Sequence, residues 1–148
     1  MSPKKQAIIV DLDGTLANDF WRKHTYLHPD RNWDEINAMS RYDAPNVWCQ
    51  ELVWALSAKG YHVVFLTARS SNARSVTEQW LLSNVGPTVD YSLIMRDPND
   101  TREDWMFKET AYYTEIAPNY EVLMCVDDKQ SVVDMWRRLG LTCLQCAP

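Results

Sequence analysis

The chain has 148 residues, 46% hydrophobic and 24% charged, with a net charge of −5 at pH 7. That length fits one domain, residues 1–148, with enough apolar material for a buried core. The acidic balance excludes a protein that coats nucleic acid along its length, which takes many Lys and Arg contacts to phosphate, but it leaves room for gripping one phosphate or one strand end.

Residues 1–6 are short and polar, without a signal-peptide pattern. No apolar stretch approaches the ~20 residues of a membrane span. The four cysteines (Cys49, Cys125, Cys143, Cys146) read as reduced thiols of a cytoplasmic protein. The Cys143-x-x-Cys146 spacing suits redox or zinc chemistry, but there is no second pair, and two thiols on or beside a last strand account for it better. In "AIIVDLDGTLAN" the apolar run 7–10 reads as a strand buried on both faces, and it stops at Asp11, with Asp13, Gly14 and Thr15 following. Residues 17–44 are polar and aromatic with weak periodicity. They are too long for a plain link and predict a small cap over the end of strand one, with one short helix. Pro45 opens a helix to about Lys59, which Gly60 ends. A second strand at 61–66 precedes a helix from about Asn72 to Leu82, stopped by Asn84, Gly86 and Pro87. The third strand is 91–95. "TRED" resembles a capping box with Thr101 as N-cap, and its helix runs to about Ile116. A fourth strand at 121–126, a helix from about Gln130 to Leu139 and a fifth strand at 141–146 complete the chain.

Strand–helix alternation with short links predicts an α/β fold, a five-stranded parallel sheet with helices on both faces. In such a sheet the carboxyl ends of the strands line one crevice. Strand one ends at Asp11 and Asp13, strand two at Thr67 and Arg69, strand three near Arg96, and strand four at Asp127 and Asp128. Any one of these acids could be a turn former; two pairs at two strand ends point instead to a shared site. Clustered carboxylates need a cation, and hard oxygen ligands suit Mg²⁺. The neighbouring hydroxyl and guanidiniums suit an anionic guest. Metal, anion site and carboxylate nucleophile together are the equipment of phosphoryl transfer. Asp104 and Lys108, four apart on one helix, would by themselves read as a surface ion pair.

Asp11-Leu-Asp13-Gly14-Thr15-Leu16 resembles the first motif of the haloacid dehalogenase (HAD) superfamily of phosphohydrolases. Thr67, Lys108 and Asp127-Asp128 fall in the order of its second, third and fourth motifs. More narrowly, "RDPNDTREDWMFKE" and "CVDDKQSVVDMWRRLGLTCLQ" resemble the 3′-phosphatase domain of phage-type polynucleotide kinases. The resemblance implies a Rossmann-like HAD fold and an Mg²⁺-dependent phosphatase acting on 3′-phosphorylated DNA or RNA ends. Asp11 would be the nucleophile and Asp13 the acid and base. Thr67 would hold phosphate oxygens, and Lys108 would neutralise the phosphate and Asp11. The metal set would be Asp11, Asp13, Asp127 and Asp128, and Arg22, Arg69, Arg96 and Asp104 would bind substrate, Asp104 alternatively positioning Lys108. Arg31 competes with Arg22, because the insertion blurs the correspondence there.

No glycine begins a kinase P-loop. The chain therefore resembles a stand-alone phosphatase or the separate half of a repair system, with a kinase or ligase as a separate partner. Trp21, Tyr26 and Trp33 suit either base stacking or a small aromatic core under the cap, and His24, His28 and His62 have no ligand spacing. Two alternatives stand beside the leading expectation. One is a small-molecule or nucleotide phosphatase, which a small cap over an open site suits less well. The other is a non-catalytic module binding phosphorylated ends, which would not need a nucleophile.

Overall fold

The apolar run expected as strand one is the middle of the sheet in the computed structural model, which describes residues 3–146. Strand β1 (Lys5–Val10) pairs in parallel with β4 (His62–Ser70) on one side and β6 (Tyr120–Asp127) on the other. The edges are β5 (Tyr91–Arg96) and β7 (Cys143–Gln145), giving the order β5-β4-β1-β6-β7. Alternate side chains of β1 feed two cores. Ile8 and Val10 join Val63, Phe65, Val53, Trp80 and Leu81 on one face. Ala7 and Ile9 join Val64, Leu66, Phe107, Val133 and Trp136 on the other. Helices α2 (Val47–Ala58) and α3 (Arg74–Val85) supply the first face, and α4 (Asp104–Ala111) and α5 (Gln130–Arg138) the second. The chain leaves β1 toward β4 and β5 and then returns to β6 on the other flank. This reversal opens a crevice at the carboxyl end of β1, where doubly wound sheets hold their ligands.

The insertion has more structure than one short helix. It is closed at its base by two-residue antiparallel strands, β2 (Ala17–Asn18) against β3 (Ala44–Pro45). Between them lie a 3-10 helix over Phe20–Leu27, α1 (Trp33–Ala38) and a 3-10 turn over Met39–Tyr42. Asn32 caps α1 by accepting from the backbone of Asp34 and Glu35.

Several boundaries differ from the sequence expectation. Pro45 is taken up by β3, and Asn46 donates its backbone N–H to Leu16, so α2 starts only at Val47. Strand β4 runs past Leu66 to Ser70, bringing Thr67 and Arg69 into its last turn of pleat. Its helix continues to Val85, where Gly86 at φ 82° stops it. Thr101 is not a cap: α4 begins at Asp104, because Asp100 gathers the backbone and guanidinium of Arg102 into a local turn. After Ala111 the chain widens into one π turn, Tyr112–Ile116. Residues 141 and 142 belong to the turn after α5, since Leu141 N–H bonds back to Trp136, leaving β7 three residues. All four cysteines are free. No helix among the described residues is long and apolar enough to cross a membrane.

Candidate active site

The ladder carries Asp11 into place. Its backbone N–H still donates to Val126, while Leu12 turns inward and Thr15 N–H closes a tight loop onto Leu12. Asp11 and Asp13, on either side of that turn, both line the crevice. Asp11 is nearly buried, accepting from Thr15 Oγ1 at 3.0 Å and Lys108 Nζ at 2.9 Å. Lys108, from α4, also donates to Asp127 at 2.8 Å. Oxygens of Asp11, Asp127 and Asp128 lie within 4.8 Å of one another. Burial pushes Asp11 well above the usual carboxylate range, and Asp127 adds to the rise against the pull of Lys108. Asp128 is raised as well, chiefly by burial and further by Asp127. Burial works against a charge on Lys108, but Asp11 and Asp127 overcome it and hold its ammonium strongly protonated. One lysine is thus shared between two of the three acids. The cluster offers oxygen ligands only, short of positive charge, which fits a hard divalent cation such as Mg²⁺.

Asp13 lies outside that triad, although the sequence reading included it among the metal ligands. Its side chain is taken up by two guanidiniums. Arg69 donates Nη2 at 2.6 Å and Nε at 2.9 Å, and Arg22 donates Nη2 at 2.6 Å. Burial favours its neutral form, but Arg69 and Arg22 together hold the carboxyl well below its ordinary value. Arg22 is itself wholly buried. Its remaining donors go to Asp43 (Nε at 2.9 Å, Nη2 at 2.6 Å) and to Tyr26 Oη at 2.9 Å. It was expected to touch substrate, but it lies behind the wall; Arg69 forms part of it.

The cavity has a volume of 860 Å³, and Asp11, Asp13, Thr67, Arg69, Lys108, Asp127 and Asp128 all line it. Thr67 is buried and accepts the backbone N–H of Arg69 on its hydroxyl. At the rim, Asp104 does not reach Lys108. It accepts from Arg96 Nη2 at 2.6 Å and Lys129 Nζ at 2.9 Å, bridging two cations across the mouth. Tyr26 and Trp33 form a tilted pair, centroids 5.5 Å apart, on the cap side of the cavity. Trp21 instead donates its indole N–H to Asp43. Arg31 lies over Trp33, away from Asp13, and so does not displace Arg22. His62 stacks on Tyr120 at the opposite end of the strands.

Thr15, Asp43 and Lys129 did not stand out in the sequence. Thr15 had a signal, four residues after Asp11 in a tight turn. Lys129 directly follows the second acidic pair. Asp43 had none: it is 30 residues from Asp13, and only the pairing of Ala17 with Pro45 brings it back.

Residues 5–148 match the family model described as "Polynucleotide kinase PNKP phosphatase domain". Over 140 residues the chain is 26% identical to a putative bifunctional polynucleotide kinase/RNA ligase of Autographa californica nuclear polyhedrosis virus, covering 92% of this chain and 18% of the viral protein. A chain in the structure of the Pnkp1/Rnl/Hen1 RNA repair complex superposes with a TM-score of 0.82 at 32% identity, over 97% of this chain and 43% of that one. The class C acid phosphatase from Bacillus anthracis gives 0.67 at 17% identity, over 99% of this chain and 68% of that one, a likeness of fold. The chain therefore spans less than half the length of the viral and repair-complex relatives. With nearly its whole length matched, the chain belongs to the HAD-type family of polynucleotide kinase phosphatase domains.

Proposed function

We propose that residues 1–148 form a single phosphatase domain, capped by residues 17–44, that removes 3′-phosphates from nucleic acid ends through a phosphorylated Asp11. The observation that carries this reading is Asp11 on the cavity floor, beside Lys108 and the Asp127–Asp128 pair. Asp11, Asp127 and Asp128 would hold Mg²⁺, which when bound neutralises charge on the transferring phosphoryl group. An Asp11 oxygen attacks phosphorus, the bond from phosphorus to the ester oxygen breaks, and that oxygen takes a proton from Asp13. Water then attacks the acyl phosphate, Asp13 accepts its proton, and inorganic phosphate departs. Thr67 and Lys108 hold phosphoryl oxygens. Arg69 offers a fork to the same group. An incoming phosphate competes with Asp13 for that fork, and freeing Asp13 from one guanidinium makes its carboxyl easier to protonate. At the rim, Arg96, tied to Asp104, is the contact for the rest of the substrate.

The relatives favour a place in RNA repair, with a separate kinase or ligase as partner. A substrate panel tests the function: 3′-phosphorylated RNA and DNA oligonucleotides, nucleoside monophosphates and sugar phosphates, each with and without Mg²⁺. The 3′-phosphorylated oligonucleotides should be turned over best, and only with metal. Better cleavage of the small molecules would move the reading to a small-molecule phosphatase. Asp11→Asn should abolish turnover and keep the fold; full activity in that variant removes Asp11 from its role.

A further inference from the structure

Asp43 belongs to no recognisable motif and is not on the cavity wall, yet its side chain is fully buried and heavily bonded. It accepts from Arg22 Nε at 2.9 Å, Arg22 Nη2 at 2.6 Å and Trp21 Nε1 at 2.8 Å. Its carboxylate also lies 3.9 Å from Arg69 Nη2. Its backbone carbonyl accepts from Trp80 Nε1 at 2.8 Å, so α3, outside the cap, fixes its place. Arg22 and Arg69 meet on a single oxygen of Asp13. Two guanidiniums crowded on one carboxylate repel each other in a buried setting, and Asp43 is the second negative charge that balances them.

We propose that Asp43 is a positioning residue: through Arg22, and at longer range Arg69, it fixes the direction of the Asp13 carboxylate. This rests on the phosphatase reading above, in which Asp13 gives a proton to the leaving ester oxygen. A carboxylate held by a loose guanidinium would swing, and proton transfer needs the donor within hydrogen-bond reach of its acceptor. The cap then belongs to the catalytic machinery of the body, because residues near both its ends, Arg22 and Asp43, hold the acid.

The test compares two esters whose leaving groups differ in their need for a proton. A 3′-phosphorylated oligonucleotide expels an alkoxide and needs the acid; p-nitrophenyl phosphate expels a phenolate and does not. The quantity is kcat/KM, which reads the half-reaction in which the leaving group departs. Asp43→Asn should lower it roughly 10- to 100-fold for the oligonucleotide and less than about threefold for the aryl ester. A merely structural role lowers both alike, and that result, or no loss on either ester, overturns the proposal. If Asp43→Asn fails to fold by circular dichroism, Arg22→Lys, which keeps the charge but loses the fork, reads the same link with the same two outcomes. Wild-type protein inactive on both esters would sink the phosphatase reading itself. Wild-type activity on both, with equal losses in the variant, sinks only the role of Asp43.

Discussion

Gly14 shows how much one missing side chain can decide. Its φ is 81°, where L side chains are strained, and a Cβ there would lie 2.7 Å from Asp128 Cγ. An alanine costs about 1–2 kcal/mol in backbone strain and also drives Asp128 away from Asp11 and Asp127. Gly14→Ala should therefore weaken Mg²⁺ binding at least roughly tenfold by calorimetry, the effect expected when a ligand is displaced. Gly60→Ala is the control, since Gly60 has positive φ but nothing near its Cβ; metal binding equal in the two variants would refute the steric account. At this scale the sequence was readable wherever a strand end delivers a side chain. Asp11, Thr67 and Asp127 could be named because each directly follows an apolar run. What a side chain then bonds was not readable. Asp104 and Lys108 are separated by one helical turn but face different partners, because Arg96 and Lys129 sit on neighbouring elements.

Among the elements, the sheet and its four large helices were legible and the cap was not, for a physical reason. The continuous apolar run 63–66 marks a strand buried on both faces, and the stripe Val132, Val133, Trp136 repeats with the period of a helix. The cap is built from 3-10 turns, a six-residue helix and two-residue strands, too short for any period to show. Its stability comes from specific bonds to the body instead, and the Trp80 indole to Asp43 carbonyl bond is one that can be removed cleanly. Trp80→Phe leaves that buried carbonyl unpaired, which costs about 1–3 kcal/mol. Urea unfolding should show this loss, and hydrogen exchange should show the amides around Asp43 opening earlier than those of β1 and β4. Uniform acceleration across sheet and cap would mean that the bond supports the core and not the cap.

On the scale of the whole molecule, the site gathers acids in an already acidic protein, and stability should report it. Asp11 and Asp128 have raised pKa values in the fold. Groups of that kind contribute stability that is complete below their unfolded value, ~3.9 for Asp, and lost as pH rises through the folded value. Asp13 behaves in the opposite way. Its lowered pKa gives stability that is present above ~3.9 and lost only as the solution becomes strongly acidic. In the window from ~3.9 up to the raised values of Asp11 and Asp128, then, Asp13 contributes a constant amount while those two steadily subtract. The metal-free protein in EDTA should melt at a lower temperature at the upper end of that window than at the lower. A bound cation reverses the repulsion and stabilises by mass action, so added Mg²⁺ should raise the melting temperature most at the upper end. Asp128→Asn removes one of the crowded charges. It should raise the melting temperature in EDTA at neutral pH and abolish most of the shift with Mg²⁺. A variant that keeps the full Mg²⁺ shift would show that the cation is held elsewhere, and the grouping of Asp11, Asp127 and Asp128 would then be a buried ion cluster organised by Lys108 alone.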